Sequence, residues 1–225
     1  MKKIRTALVV ASCLLAAGAA NAQLGGLGSL MGSVKSGSNS GGDIGADVSA
    51  FVVKSGALSA LVGQSVTAIN AAFSSDEQLA AKRAKLADAQ AVTDPKERAA
   101  KFAELYKSEQ AEAQALLDSG EMEKRIGALS SEKKKMIGNA LLNFAIGGLQ
   151  AVDLTKSGQS LLQKAGANPM NLPKIVPVKD ALPLLGKVAS DTGSFFVGVA
   201  KVAKGANISV PKVTAESKTV DFNIS

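Results

Sequence analysis

Histidine and tryptophan are absent from all 225 positions, and cysteine and tyrosine occur once each. Without imidazole there is no Ser-His-Asp or Cys-His catalysis, no histidine metal ligand and no imidazole switch near neutral pH. Aromatics make up only 4% of the chain against 46% apolar residues, so a core has to be built from Ala, Leu, Val and Ile with seven Phe. Such side chains favour closely packed helices over a sandwich or barrel. The length supplies one ordinary domain.

Residues 1–22 read as an export leader. Lys2, Lys3 and Arg5 form a basic start, residues 7–17 an apolar run, and Ala20-Asn21-Ala22 a small-x-small cleavage site. Cleavage is expected after Ala22, giving a periplasmic or secreted chain. Val10-Ala11-Ser12-Cys13 also fits a lipobox that would leave Cys13 lipidated, but the apolar run continues to Ala20, which suits an ordinary leader better. Loss of the leader lowers the formal net charge from +7 to +4 and leaves no cysteine for a disulfide. No later run is both long and free enough of polar groups for lipid, so no stable transmembrane segment is expected in the processed chain.

Residues 23–45, with LGGLGSLMGS and SGSNSGG, are too rich in Gly and Ser to repay their ordering entropy and read as a tether. From there the period becomes helical. Phe51, Leu58, Val62, Ile69 and Phe73 mark one side of a first helix to about Ser74. Ser74 and Glu77 have the spacing of a capping box, and Asp94-Pro95-Lys96-Glu97 is a second start signal. A charged helical hairpin is therefore expected over about 75–119, with Gly120 as its C-cap. Ser130 or Ser131 caps a helix whose stretch from Met136 to Val152 is apolar almost all round, marking about 132–152 as a buried core helix. A further helical stretch after Asp153 ends near Gly166. Pro169, Pro173, Pro177 and Pro183 follow, which predicts extended or looped chain from Lys174 to Val178. A last helix spans about 180–204 with a kink near Asp191 and Thr192. Ile208/Val210 and Val220/Phe222/Ile224 alternate at period two and predict an extended tail or a small β-hairpin over 207–225. The sum is an all-α, single-domain bundle of about five to seven helices over 46–206.

Candidate chemistry is sparse. Ser130 and Lys133 have the S-x-x-K spacing of a Ser/Lys nucleophile, but S-D-N and K-T-G partners are missing and the pattern fits a helix cap better. Glu121/Glu123, Glu109/Glu112 and Asp76/Glu77 are paired carboxylates on Lys-rich helices, unlike a glycosidase cleft or a calcium loop. No catalytic, cofactor-binding or metal-ligating residue is assigned, and no cofactor is implied. With balanced charge through the hairpin and Tyr106 the one aromatic besides Phe, nucleic acid is not an expected partner.

The composition leaves three functional readings. The first is a non-enzymatic binding or scaffold protein for a lipid or an envelope protein, with an apolar groove formed by Leu141, Phe144, Ala145, Leu149, Phe195 and Phe196. The second is a membrane-active protein acting through the lysine-flanked apolar helices at 136–152 and 184–204. The third is a Ser/Lys hydrolase.

Overall fold

Short-range signals set most of the helix ends. In the computed structural model, which describes residues 44–225 apart from 211, 215, 216, 222, 223, 225 and the side chain of Pro169, the first helix is α1, Ile44–Phe73. Ser75 then caps α2, Asp76–Ala91, through a reciprocal box with Gln78. The box lies one residue beyond the expected Ser74/Glu77 pair, because the Ser74 hydroxyl instead donates to the Asn70 carbonyl at 2.9 Å and finishes α1. Asp94 accepts from the Glu97 amide at 2.8 Å and Pro95 opens α3, Pro95–Asp118, as the sequence anticipates. Gly120 has φ of 71°, a left-handed conformation that costs glycine little, and turns the chain into the short α4, Glu121–Ile126. Ser130 accepts from the Lys133 amide at 3.3 Å and caps α5, Ser131–Gly166.

The expected interruption after Asp153 is absent, and α5 runs unbroken to Gly166. The prolines also break less than expected. Pro169–Ile175 forms a 3₁₀ segment, and Val176–Gly193 forms α6, so residues 174–178 are helical rather than extended or looped. Pro177 falls in the first turn of α6, where its missing N–H would have no helical partner in any case. The kink expected near Asp191 is a break at Ser194, after which α7 spans Phe195–Gly205.

The contacts fix the helix directions. Gly63 lies against Phe102 and Asn70 reaches Glu109, so α1 and α3 run parallel. Gly147 faces Val62 and Gly158 faces Phe51, so α5 runs antiparallel to α1. Gly148 meets Thr192 and Gly158 meets Leu182, which sets α6 antiparallel to α5. The described residues therefore form an all-α bundle within one compact unit, with α1 packed along both α3 and α5 and α5 along α6.

Every residue from Leu61 to Phe73 is buried, as is Phe144 with its neighbours on α5, so the core lies where α1 and α5 cross. By length and composition alone α1 would also suit a bilayer, contrary to the expectation from the sequence, but its C-terminal half is enclosed by protein. Its hydroxyls tolerate that burial by bonding backward. Ser59, Ser65 and Thr67 donate to the carbonyls of Ser55, Leu61 and Gly63 at 2.7 to 2.8 Å.

The leader and residues 23–43 lie outside the described residues, while Ile44 and Gly45, assigned to the tether, are helical. Beyond Gly205 the described residues contain no strand, so no hairpin forms among them, and Ile208 and Ile224 pack against the bundle. Phe222, one of its alternating positions, is outside the described residues.

Candidate functional site

The six residues expected to line an apolar groove are not arranged as an open one. Leu141 and Phe144 are fully buried and Phe195 is 1% exposed, which leaves no surface for a ligand to touch in this packing. Phe144 meets Phe195 edge-on at 5.7 Å and stacks with Tyr106 and the half-buried Phe196 at 6.3 and 6.5 Å. Ala145 is buried as well, whereas Leu149 is 47% exposed and stands apart from the aromatic cluster's interior. A lipophilic ligand here would have to displace core packing.

Two polar clusters flank α3 instead. On one side Lys82 of α2, with its side chain 7% exposed, pairs with Glu109 at 2.8 Å and Glu112 at 2.6 Å. Asn70 of α1 completes the cluster by donating to both the carbonyl and the carboxylate of Glu109 at 2.7 Å. Burying these charges is costly, and the mutual pairing offsets the cost while fixing α1, α2 and α3 in one register. The Asn70 side-chain amide oxygen has no hydrogen-bond partner among the described residues.

On the other side the fully buried Tyr106 donates its hydroxyl to Asp191 of α6. Lys187, one turn earlier on α6, bonds the same carboxylate at 2.8 and 3.1 Å and Gln110 at 3.1 Å, and its ammonium lies 5.9 Å from the Tyr106 ring centre. Burial, then the bond to Asp191 and its negative charge, push the Tyr106 hydroxyl far above its ordinary value. It is held as a permanent donor.

In both clusters the ionisable groups are engaged by one another, across helices or one turn apart on the same helix. Ser130 acts as an N-cap, and Glu121 pairs with Lys124 at 2.8 Å. Among the described residues no three Asp, Glu, His or Cys side chains converge as metal ligands.

A third arrangement joins α5 and α2 to the C-terminal tail. The Asn143 side chain, on α5, donates to the Val220 carbonyl at 2.7 Å and accepts from the Val220 amide at 2.9 Å. A side-chain amide thus satisfies both backbone groups of one tail residue. Arg83 of α2 donates to the Ile224 carbonyl at 2.7 Å, and the Ile224 side chain is buried in the core. At the other end of the tail Ile208 is buried, and a Cβ on Gly138 would meet the Ser209 carbonyl at 2.9 Å, so glycine there lets the tail lie against α5. The described tail residues Ile208, Val220 and Ile224 thus meet the chain's own bundle.

The tail's alternating pattern was readable in the sequence, but nothing local joined it to Asn143, 77 positions away. Lys82 and Asp191 were missed for the same reason. The one available signal was Tyr106, the sole tyrosine, whose hydroxyl needs a partner when buried.

No family model matches this chain, and neither curated proteins nor solved structures match it.

Proposed function

We propose that this chain is an exported, non-enzymatic binding or scaffold protein of the cell envelope, and that what it binds is an extended segment of polypeptide. The observation that carries this reading is the two-point grip of Asn143 on the backbone of Val220. Recognition through main-chain N–H and C=O is the mode by which peptide-binding domains hold extended ligands, with side-chain pockets adding selectivity. The Ile224 position supplies such a pocket. The paired state of the buried ionisable residues also supports a structural rather than catalytic use of them.

The test uses the full chain carrying Val220→Pro, which removes the amide hydrogen that Asn143 accepts and weakens the resident tail. A labelled peptide of residues 217–225 is expected to bind this variant saturably in an anisotropy titration. Adding Asn143→Leu to the same chain should abolish binding while circular dichroism stays helical. Absence of binding to the Val220→Pro chain contradicts the reading.

A second reading, association with a bilayer surface, has its own observation. Met170 is 83% exposed and Leu172 and Val176 are also exposed, beside exposed Lys174 and Lys179. Apolar residues with flanking lysines suit an anionic interface. Flotation with anionic vesicles at low salt that is lost in Met170→Ser/Leu172→Ser would support it, and failure to float would remove it.

A further inference from the structure

We infer that Met170 is an oxidation site, and that transfer of oxygen from a peroxide to its sulfur releases the bundle from an anionic bilayer. This rests on the bilayer-surface reading above and names how that surface is regulated. The segment after α5 is pinned to the bundle by residues other than its outward apolar ones. The Asn168 amide donates to the Ala165 carbonyl at 3.0 Å, the Met170 amide donates to the Asn168 side-chain oxygen at 3.0 Å, and Ile175 and Val178 are buried in the core. Met170, Leu172 and Val176 face solvent from this anchored ledge, and Met170 is the most exposed of the three at 83%. Lys164, Lys174 and Lys179 are exposed in the same stretch, and no Asp or Glu occurs between Asp153 and Asp180, so the ledge meets an anionic surface with positive charge only.

The thioether is the chemically vulnerable part of that ledge. Met122 is fully buried and Met136 half-buried, so among the described methionines only Met170 is exposed. A chain that has lost Cys13 with its leader offers no thiol to compete for the oxidant. The sulfur lone pair attacks one oxygen of the peroxide, an S–O bond forms as the O–O bond breaks, sulfur gives up two electrons, and the other oxygen leaves as water. The product is a polar sulfoxide, which an apolar interface rejects. Because Ile175 and Val178 hold the segment in place, the change falls on the surface and not on the fold.

The test treats the purified exported chain with hydrogen peroxide under native conditions, maps the product by peptide mass spectrometry, and floats it with vesicles of phosphatidylcholine and phosphatidylglycerol at low salt. Met170 is expected to gain one oxygen before Met122 and Met136, with the melting temperature unchanged. Partitioning onto the vesicles should fall about tenfold or more, the share carried by one buried methionine side chain. Met170→Leu keeps the apolar surface without the sulfur and should float equally before and after peroxide. Oxidation at Met31, which lies outside the described residues, is common to both chains and cancels in this comparison. Oxidation of Met170 no faster than that of Met136 overturns the inference. Flotation that survives oxidation of Met170 removes the release and leaves the bilayer reading standing. If neither the untreated chain nor Met170→Leu floats, the bilayer reading itself falls and takes the release with it.

Discussion

Tyr106 and Asp191 meet across the contact of α3 and α6, the phenol donating to the carboxylate and Lys187 closing the same carboxylate from the solvent side at 2.8 Å. One buried hydrogen bond therefore ties the charged hairpin to the C-terminal half of the bundle. Because the chain has a single tyrosine, its phenolate absorbance reports this residue alone.

The Tyr106 hydroxyl is raised well above its ordinary value of 10.0, first by burial and then by Asp191. Below about pH 10 both native and unfolded chains hold the proton, and the stability linked to it is fully present. Above that the unfolded chain ionises and the native one does not, so stability falls as pH rises. A spectrophotometric titration is expected to show no phenolate near pH 10 to 11 in the folded protein, with absorbance appearing only as helical circular dichroism is lost. Ordinary titration near pH 10 with the helices intact would contradict the placement of Tyr106.

Lys82 neutralises a Glu109 that is 1% exposed, so the two substitutions are expected to be strongly non-additive. Lys82→Met alone leaves a buried carboxylate uncompensated and should cost about 3 to 5 kcal/mol. Lys82→Met with Glu109→Gln should recover most of that loss in a double-mutant cycle by urea denaturation. A small, additive effect would mean that the ion pair is solvated.

Gly148 and Gly186 give opposite expectations for the same substitution. A Cβ on Gly148 would collide with Thr192 of α6, close to its backbone, where no side-chain swing relieves the clash. Gly148→Ala should destabilise by roughly 1 to 3 kcal/mol as overpacking outweighs helix propensity. Gly186 faces open space in the interior of α6, and Gly186→Ala should stabilise by up to about 1 kcal/mol. Melting temperatures of the two variants should move in opposite directions.

What the sequence made legible was local. The all-α class followed from composition and period, and Asp94, Gly120 and Ser130 could be read as ends because capping is decided within one turn. The errors arose where context overrode a local sign. Pro177 was read as a breaker, yet a proline in the first turn removes no helical bond. The period-two pattern of the tail was read as an extended tail or a small hairpin, but alternation records only that one face is covered, and at Val220 the contact is Asn143 of α5 rather than another strand. The apolar groove failed to appear because Phe144, Phe195 and Phe196 satisfy one another, which composition cannot distinguish from a lined cavity.

The grip of Asn143 on Val220 is the centre of this account, and amide hydrogen exchange at Val220 tests it most directly. The Val220 amide is expected to be protected in the native chain and to approach the free-chain rate in Asn143→Ala, while amides of α1 and α5 stay protected. Exchange of Val220 at the free-chain rate in the unmodified protein would mean that the tail is not held, and the peptide-binding reading would fall with it.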